Sequence, residues 1–174
     1  MRHGLGFFNA VFTMAIVTII LVWGVTSLTN SDPLWFLSSF DAQAETIVIY
    51  WDGTAITLGA NDPGYADIMR AFSGAISKPV AFEWEVGLSE DSIHQYKQGN
   101  KLLEVQFSQP VQVHTRYPFN EAKTYLVPLD KSHALSHRIY AFTGIMPYTS
   151  GPVNASQNTF DALYTAVESA IAKN

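Results

Sequence analysis

Three polar residues alternate along one short segment and could together bind an anion. Gln112, His114 and Arg116 occupy every second position of Val-Gln-Val-His-Thr-Arg-Tyr. Because successive side chains of a β-strand point to opposite faces, these three share one face of a predicted strand. A guanidinium beside an imidazole can donate charge-assisted hydrogen bonds to a carboxylate or a phosphate. These three residues are therefore candidates for a ligand site, but the more common explanation of the pattern is the solvated polar face of an antiparallel sheet.

A second set of residues has the types that bind zinc. Asp130, His133 and His137 occur within Asp-Lys-Ser-His-Ala-Leu-Ser-His. Two histidines at this spacing face the same way on a helical turn, and zinc accepts imidazole and carboxylate ligands. The surrounding sequence is loop-like and offers no evident further ligand. These residues are therefore weak candidates, and no metal or other cofactor is expected.

No familiar catalytic motif accompanies these sets. Glu83 and Glu85 flank Trp84 on one face of a predicted strand. Glycosidases place two carboxyl groups on opposite sides of the scissile bond, so this pair fits solvent-facing charges better. The sequence has no nucleotide-binding glycine loop, no Gly-x-Ser-x-Gly elbow and no cysteine. We therefore expect that the protein is not an enzyme.

Composition and charge argue against two further classes of protein. The chain has 174 residues, enough for one ordinary domain. It carries 10 Lys and Arg against 15 Asp and Glu, with no basic run, which argues against a nucleic-acid partner. Hydrophobic residues make up 48% and charged residues only 14%, which argues against a disordered chain.

The chain begins with a long apolar segment. Leu5 to Thr29 contains no Asp, Glu, Lys or Arg. As a helix this segment would be about 37 Å long, which exceeds the roughly 30 Å hydrocarbon core of a bilayer. We predict a short cytoplasmic end at residues 1–4 and a single transmembrane helix, a signal-anchor, at 5–29.

The flanking charges predict an orientation for this helix. Arg2 precedes the apolar segment, and acidic residues follow it. By the positive-inside rule the N-terminus is cytoplasmic and residues 45–174 lie outside, in the periplasm or the extracellular space. The alternative is a cleaved signal peptide, because Ala42-Gln43-Ala44 has the small-x-small form of a cleavage site. That site lies far beyond the apolar segment, which favours retention.

Aromatic residues follow the predicted span. Residues 30–44 include Trp35, Phe36 and Phe40. Trp and other amphipathic aromatic residues are typical of the membrane interface, so we interpret this segment as an interfacial aromatic linker. The alternative is a hydrophobic linker packed on the outer domain.

Small and polar residues mark one side of the predicted span. Gly6 and Ala10 form a small-xxx-small pair, and Asn9 stands beside them. Small residues allow a second helix to approach, and an amide near lipid prefers a protein partner. We expect Gly6, Asn9 and Ala10 to contact another membrane helix.

Residues 45–174 are predicted to form one α+β domain. Predicted strands cover 46–51, 54–58, 80–86, 102–107, 111–117, 124–129 and 138–142, with a short helix at 89–98. Amphipathic helices are predicted at 62–77 and 158–173. Strands joined by short turns predict a mainly antiparallel sheet with the two amphipathic helices packed on one face.

These features lead to a functional expectation. A single-pass anchor, an aromatic linker and an outer domain without a catalytic set favour a binding or scaffold domain. Its expected partners are the lipid bilayer and other integral membrane subunits of a larger assembly. The alternative is a membrane-tethered envelope hydrolase or metal-binding enzyme.

Overall fold

A computed structural model shows the fold over residues 3–83, 87–99, 101–117, 119, 121–130, 137–142 and 152–174. The helices are α1 (His3–Asn30), α2 (Tyr65–Ser77), α3 (Glu90–Gly99) and α4 (Gln157–Ile171). The strands are β1 (Thr46–Trp51), β2 (Thr54–Leu58), β3 (Ala81–Phe82), β4 (Leu102–Val111), β5 (Ala122–Pro128), β6 (Arg138–Phe142) and β7 (Val153–Asn154).

These strands form one antiparallel sheet. Its order is β2-β1-β4-β5-β6-β7-β3, and every neighbouring pair is antiparallel. Asp52 and Gly53 join β1 to β2 with φ values of 48° and 82°, as the two central residues of a type I′ hairpin turn require. The predicted α+β class with a mainly antiparallel sheet is confirmed.

Helices α2 and α4 pack against each other on one face of this sheet. Phe72 of α2 and Phe160 of α4 are completely buried in the main core. Gly64 precedes α2 with a φ of +88°, and a Cβ atom there would lie 2.5 Å from the Cβ of Ala170. Only glycine fits both the backbone conformation and this close approach. The predicted pair of amphipathic helices on one face is confirmed.

Helix α3 covers part of the opposite face. Tyr125 and Val127 of β5 belong to the main core, whereas Leu126 between them packs in a second cluster with Tyr96 of α3. This alternation follows from the two-residue period of a strand. The sheet is therefore apolar on both sides of its central strands.

The segment before β5 differs from the prediction. Strand β4 continues to Val111 through a register shift after Gln106, so it includes the predicted break at Pro110. Residues 112–117 do not form the predicted strand, and their only strand-like pairing in the described chain is the bridge between His114 and Ser39. The burial alternation is nevertheless present, because Val113 is buried and Arg116 is exposed.

The edge of the sheet also differs. The predicted strand at 80–86 is observed as β3, and residues 84–86 lie outside the described part of the chain. Strand β7 was not predicted, because two residues are too few to show a period.

Helix α1 extends away from the core. Residues 6–23 are all exposed, and Gly6–Asn30 is long and apolar enough to cross a membrane. Signal sequences share this property. The observed segment matches the predicted span at 5–29 to within a residue at either end.

Phe40 connects the segment after α1 to the domain core. It is only 5% exposed, and its ring makes edge-to-face contacts with Phe72 and Phe107, with centroid separations of 5.7 Å in both cases. The expectation of an interfacial position is therefore wrong for Phe40, which packs on the domain as the alternative held. Phe36 in the same segment is 54% exposed.

Replacing Phe40 tests this anchoring. Phe40→Ala should lower the free energy of unfolding by about 3–5 kcal/mol, because it removes buried apolar surface and leaves a cavity. Phe36→Ala is the matched control in the same segment and should change stability by less than about 0.5 kcal/mol. Thermal unfolding of the full chain in detergent measures both. Equal melting of Phe40→Ala and the parent would show that this ring does not stabilise the core.

Candidate functional site

The last turn of α1 reverses the chain toward the α+β domain. The Ser31 N–H donates to the Leu28 carbonyl at 3.4 Å, and the Asp32 N–H donates to the Ser27 carbonyl at 3.1 Å. Ser31 has a φ of 52°. This bond pair with a left-handed residue is a Schellman motif, which satisfies the free carbonyls at a helix end. It places Asp32 directly beside the helix terminus.

Asp32 is the partner of His114. The Nδ1 atom of His114 lies 3.0 and 3.1 Å from the two carboxylate oxygens of Asp32. The Leu34 N–H donates to the same carboxylate at 2.8 Å. The Asp32 side chain is only 2% exposed. A carboxylate this buried needs such donors, because burial without them is costly.

Backbone contacts reinforce this pair. Ser39 and His114 exchange two backbone hydrogen bonds, of 3.2 and 3.1 Å. The side-chain amide of Asn30 donates to the Arg116 carbonyl at 3.3 Å. We call these five residues, Asn30, Asp32, Ser39, His114 and Arg116, the juxtamembrane clamp. The clamp joins the end of α1 and the following segment to residues 114–116 of the domain.

The predicted anion-binding residues engage different groups. Gln112 donates through Nε2 to the carbonyls of Val113 and Phe119, at 3.2 and 3.4 Å. Arg116 donates from Nη2 to the Tyr117 hydroxyl at 3.0 Å, and its side chain is exposed. With His114 facing Asp32, the three side chains have separate partners. An anion bound by all three stays a prediction, and Arg116 is the member with an exposed side chain.

The predicted metal residues are only partly described. His133 lies outside the described residues. The His137 ring packs on Phe160 with a centroid separation of 4.3 Å, and Asp130 is half-buried. Within the described ranges, no group of three or more His, Cys, Asp or Glu side chains is placed to hold a metal ion.

A polar cleft lies at the β3 edge of the sheet. It has a volume of about 490 Å³ and is lined by residues that include Glu83, His137, Arg138, Asn154 and Ser156. Glu83 is not a freely solvated charge, because Arg138 donates to its two oxygens at 2.9 and 2.8 Å. Asn154 donates to it at 2.7 Å. Its predicted neighbour Glu85 lies outside the described residues.

Electrostatics explain what this cleft can do. The hydrogen bonds from Arg138, and after them that from Asn154, lower the pKa of Glu83 below its ordinary value of 4.5. Glu83 is therefore ionised at neutral pH and cannot serve as a proton donor there. The hydroxyl of Ser156 caps α4 by accepting from the Thr159 N–H at 3.3 Å. Glu83 therefore links the end of β3 to β6 and β7, and Ser156 caps α4.

The predicted helix-contact residues Gly6, Asn9 and Ala10 lie on the exposed part of α1. No heavy atom lies within 4 Å of a Cβ built on Gly6. In this single chain they contact no second helix among the residues described.

Sequence reasoning missed Asp32 and Arg138 as partners. Among the flanking charges Asp32 is only one of the acidic residues after the span, and in the predicted strand at 138–142 Arg138 is only the first residue. One signal was present for Asp32, since an acidic residue directly after an apolar helix needs a nearby donor if it is not solvated. No local signal identifies Arg138.

The clamp can be tested through its carboxylate. Asp32→Ala should weaken the clamp by about 1–3 kcal/mol, because it leaves the His114 ring and the Leu34 N–H without their acceptor. The amides of Ser39 and His114 should then exchange hydrogen about ten to a hundred times faster. Asp41→Ala removes an exposed carboxylate from the same segment and is the control. Unchanged exchange at both amides would contradict the role of Asp32.

The Glu83 network predicts a pH dependence. Because folding lowers the pKa of Glu83, its contribution is complete above pH 4.5 and is lost as the pH falls through the lowered pKa. At neutral pH the parent should be about 1–2 kcal/mol more stable than Glu83→Gln. This difference should shrink on acidification. Chemical unfolding across pH measures it, with the exposed Glu168→Gln as control. A difference that does not change with pH would refute the assignment.

The juxtamembrane clamp and the Glu83 cleft are the two candidate sites. In comparisons with protein-family models, curated proteins and solved structures, no match to this chain is found.

Proposed function

We propose that this chain is a single-pass membrane protein whose outer α+β domain is a non-enzymatic binding or scaffold domain. It works as an accessory subunit of a larger membrane protein assembly. The observation that carries this proposal is the juxtamembrane clamp. A domain that needs only tethering can use a flexible linker, whereas the clamp fixes the domain relative to α1. A fixed orientation allows a subunit to present one surface to its neighbours.

The proposed orientation follows from the flanking charges. Arg2 lies in the cytoplasm, and residues 45–174 lie in the periplasm or the extracellular space. Retention of the helix is supported by the packing after it. Phe40 and Ala44 are each 5% exposed, and the Ala44 carbonyl accepts a hydrogen bond from the Tyr65 hydroxyl. Cleavage after Ala44 would remove Phe40 from the core.

The proposed protein partners are other membrane helices. Gly6, Asn9 and Ala10 are exposed on α1, and an amide in or near lipid is stabilised by a protein acceptor or donor.

The alternative, a membrane-tethered envelope hydrolase or metal-binding enzyme, would draw on the cleft at Glu83. That cleft brings a carboxylate, a guanidinium and an imidazole together. However, Glu83 is engaged by Arg138 and Asn154, and the Ser156 hydroxyl caps α4. The clamp therefore supports the scaffold more directly than the cleft supports catalysis.

Cross-linking within the membrane tests the subunit proposal. A photoreactive residue at Thr13, one turn from Asn9 on the same face, should give a protein adduct of discrete mass in native membranes. Val11 lies at almost the same depth but about 160° around the helix, so the same group there should give several-fold less protein adduct. Equal adduct at the two positions, or none at Thr13, would contradict the proposed helix contact.

The same cells provide a check of the orientation. The chain has no cysteine, so Thr54→Cys in the exposed β1–β2 hairpin introduces a unique thiol. A membrane-impermeant maleimide added to intact cells should label it. Labelling only after lysis would show that the domain lies inside.

A further inference from the structure

The chain after α1 folds back along the helix. The indole Nε1 of Trp23 donates to the Pro33 carbonyl at 3.1 Å. Trp23 lies seven residues before Asn30, or about 10 Å along the helix axis. The segment after the helix therefore does not continue outward from the helix terminus. It returns to the level of the last two turns of α1.

This returning segment exposes large apolar side chains. The Leu37 N–H donates to the Leu34 carbonyl at 2.8 Å and closes a turn. Leu34, Phe36 and Leu37 are 41%, 54% and 54% exposed. Three large apolar side chains exposed within four consecutive residues indicate an interaction site when the chain itself does not cover them.

A cationic side chain lies near the end of α1. The Arg116 carbonyl accepts the Asn30 amide at the end of α1, so Arg116 is held at the level of the helix terminus. Its guanidinium carbon lies 5.0 Å from the centre of the Tyr117 ring. The exposed guanidinium retains N–H groups that can bind an anionic oxygen. Apolar side chains at the level of the last turns of α1, with a cation at the helix terminus, match the order of acyl boundary and phosphates in a lipid leaflet.

We propose that the outer domain binds the phospholipid surface directly. The turn at Leu34–Leu37 inserts into the boundary between acyl chains and headgroups, and Arg116 binds a headgroup phosphate. This inference rests on the proposed function, in which α1 spans the bilayer. The occupant is lipid because the Trp23 contact holds the turn at the depth of the apolar helix, where a bilayer surrounds the protein on the sides that carry no partner.

Depth measurements on the full chain test this proposal. Phe36→Cys, Val17→Cys and Thr54→Cys place one environment-sensitive fluorophore each in the turn, in the middle of α1 and in the distant hairpin. The proteins are reconstituted in vesicles of phosphatidylcholine and phosphatidylglycerol that contain nitroxide lipids. At residue 36 we expect blue-shifted emission, quenched most by a nitroxide near the headgroup. At residue 17 a nitroxide deep in the acyl chains should quench most, and residue 54 should resemble water.

Each result at residue 36 has a defined meaning. Water-like emission at 36 together with lipid quenching at 17 would overturn the surface contact and leave the span intact. A label at 36 that is shielded from water but insensitive to nitroxide lipids would also overturn it, since a protein would then cover the turn. Absence of quenching at both 36 and 17 would overturn the proposed span and this inference with it.

A separate variant tests the proposed contact between Arg116 and a headgroup phosphate. Arg116→Gln in the Phe36→Cys background should reduce quenching by the headgroup nitroxide, because the turn loses its electrostatic attachment to the leaflet. Lys101→Gln is the control and makes the same charge change near the last residue of β1. The Lys101 ammonium lies 3.8 Å from the centre of the Trp51 ring. This variant should leave the quenching unchanged. Equal quenching in the parent and Arg116→Gln would overturn the role of Arg116.

Discussion

A buried carboxylate between the apolar helix and the α+β domain is the contact on which the arrangement of this protein depends. Asp32 is withdrawn from water, so its oxygens must keep the Leu34 N–H and the His114 ring as partners. Losing either partner would leave a buried charge poorly compensated. The Leu34 contact shapes the turn after α1, and the His114 contact sets the register of Ser39. With Ser39 held in this register, the next residue, Phe40, packs in the core.

Local periodicity accounts for the parts of the fold that the sequence predicts. The β1–β2 hairpin follows from alternating β-branched residues around Asp52-Gly53, and α2 and α4 follow from apolar residues at helical spacing. Residues 112–117 show the limit of this approach. Their alternation of buried and exposed positions is real, yet their backbone pairs with the segment after α1. An alternating pattern indicates which face is covered, and it does not indicate by what.

The candidate sites depend on contacts between distant residues. His114 and Asp32 are separated by 82 positions, and Arg138 and Glu83 by 55. Neither pairing has a spacing that a sequence could reveal. The first depends on the contact of the end of α1 with the segment after β4. The second depends on the sheet order, which places β3 near β6 with β7 between them. The alternating residue types agree with the observed burial, in which Val113 and Thr115 are buried and Arg116 is exposed. Asp32 could be identified as the partner of His114 only from the three-dimensional fold.

Because the clamp attaches the α+β domain to the end of α1, the length of this helix bears on the orientation of the domain. Gly6–Asn30 has 25 residues and is about 37 Å long, whereas a typical hydrocarbon core is about 30 Å thick. A helix longer than the membrane adapts by tilting, and the tilt increases as the bilayer becomes thinner. A flexible linker would absorb that change. If α1 spans the bilayer as proposed, the clamp transmits this tilt to the α+β domain, so bilayer thickness would set the angle between the domain and the membrane surface.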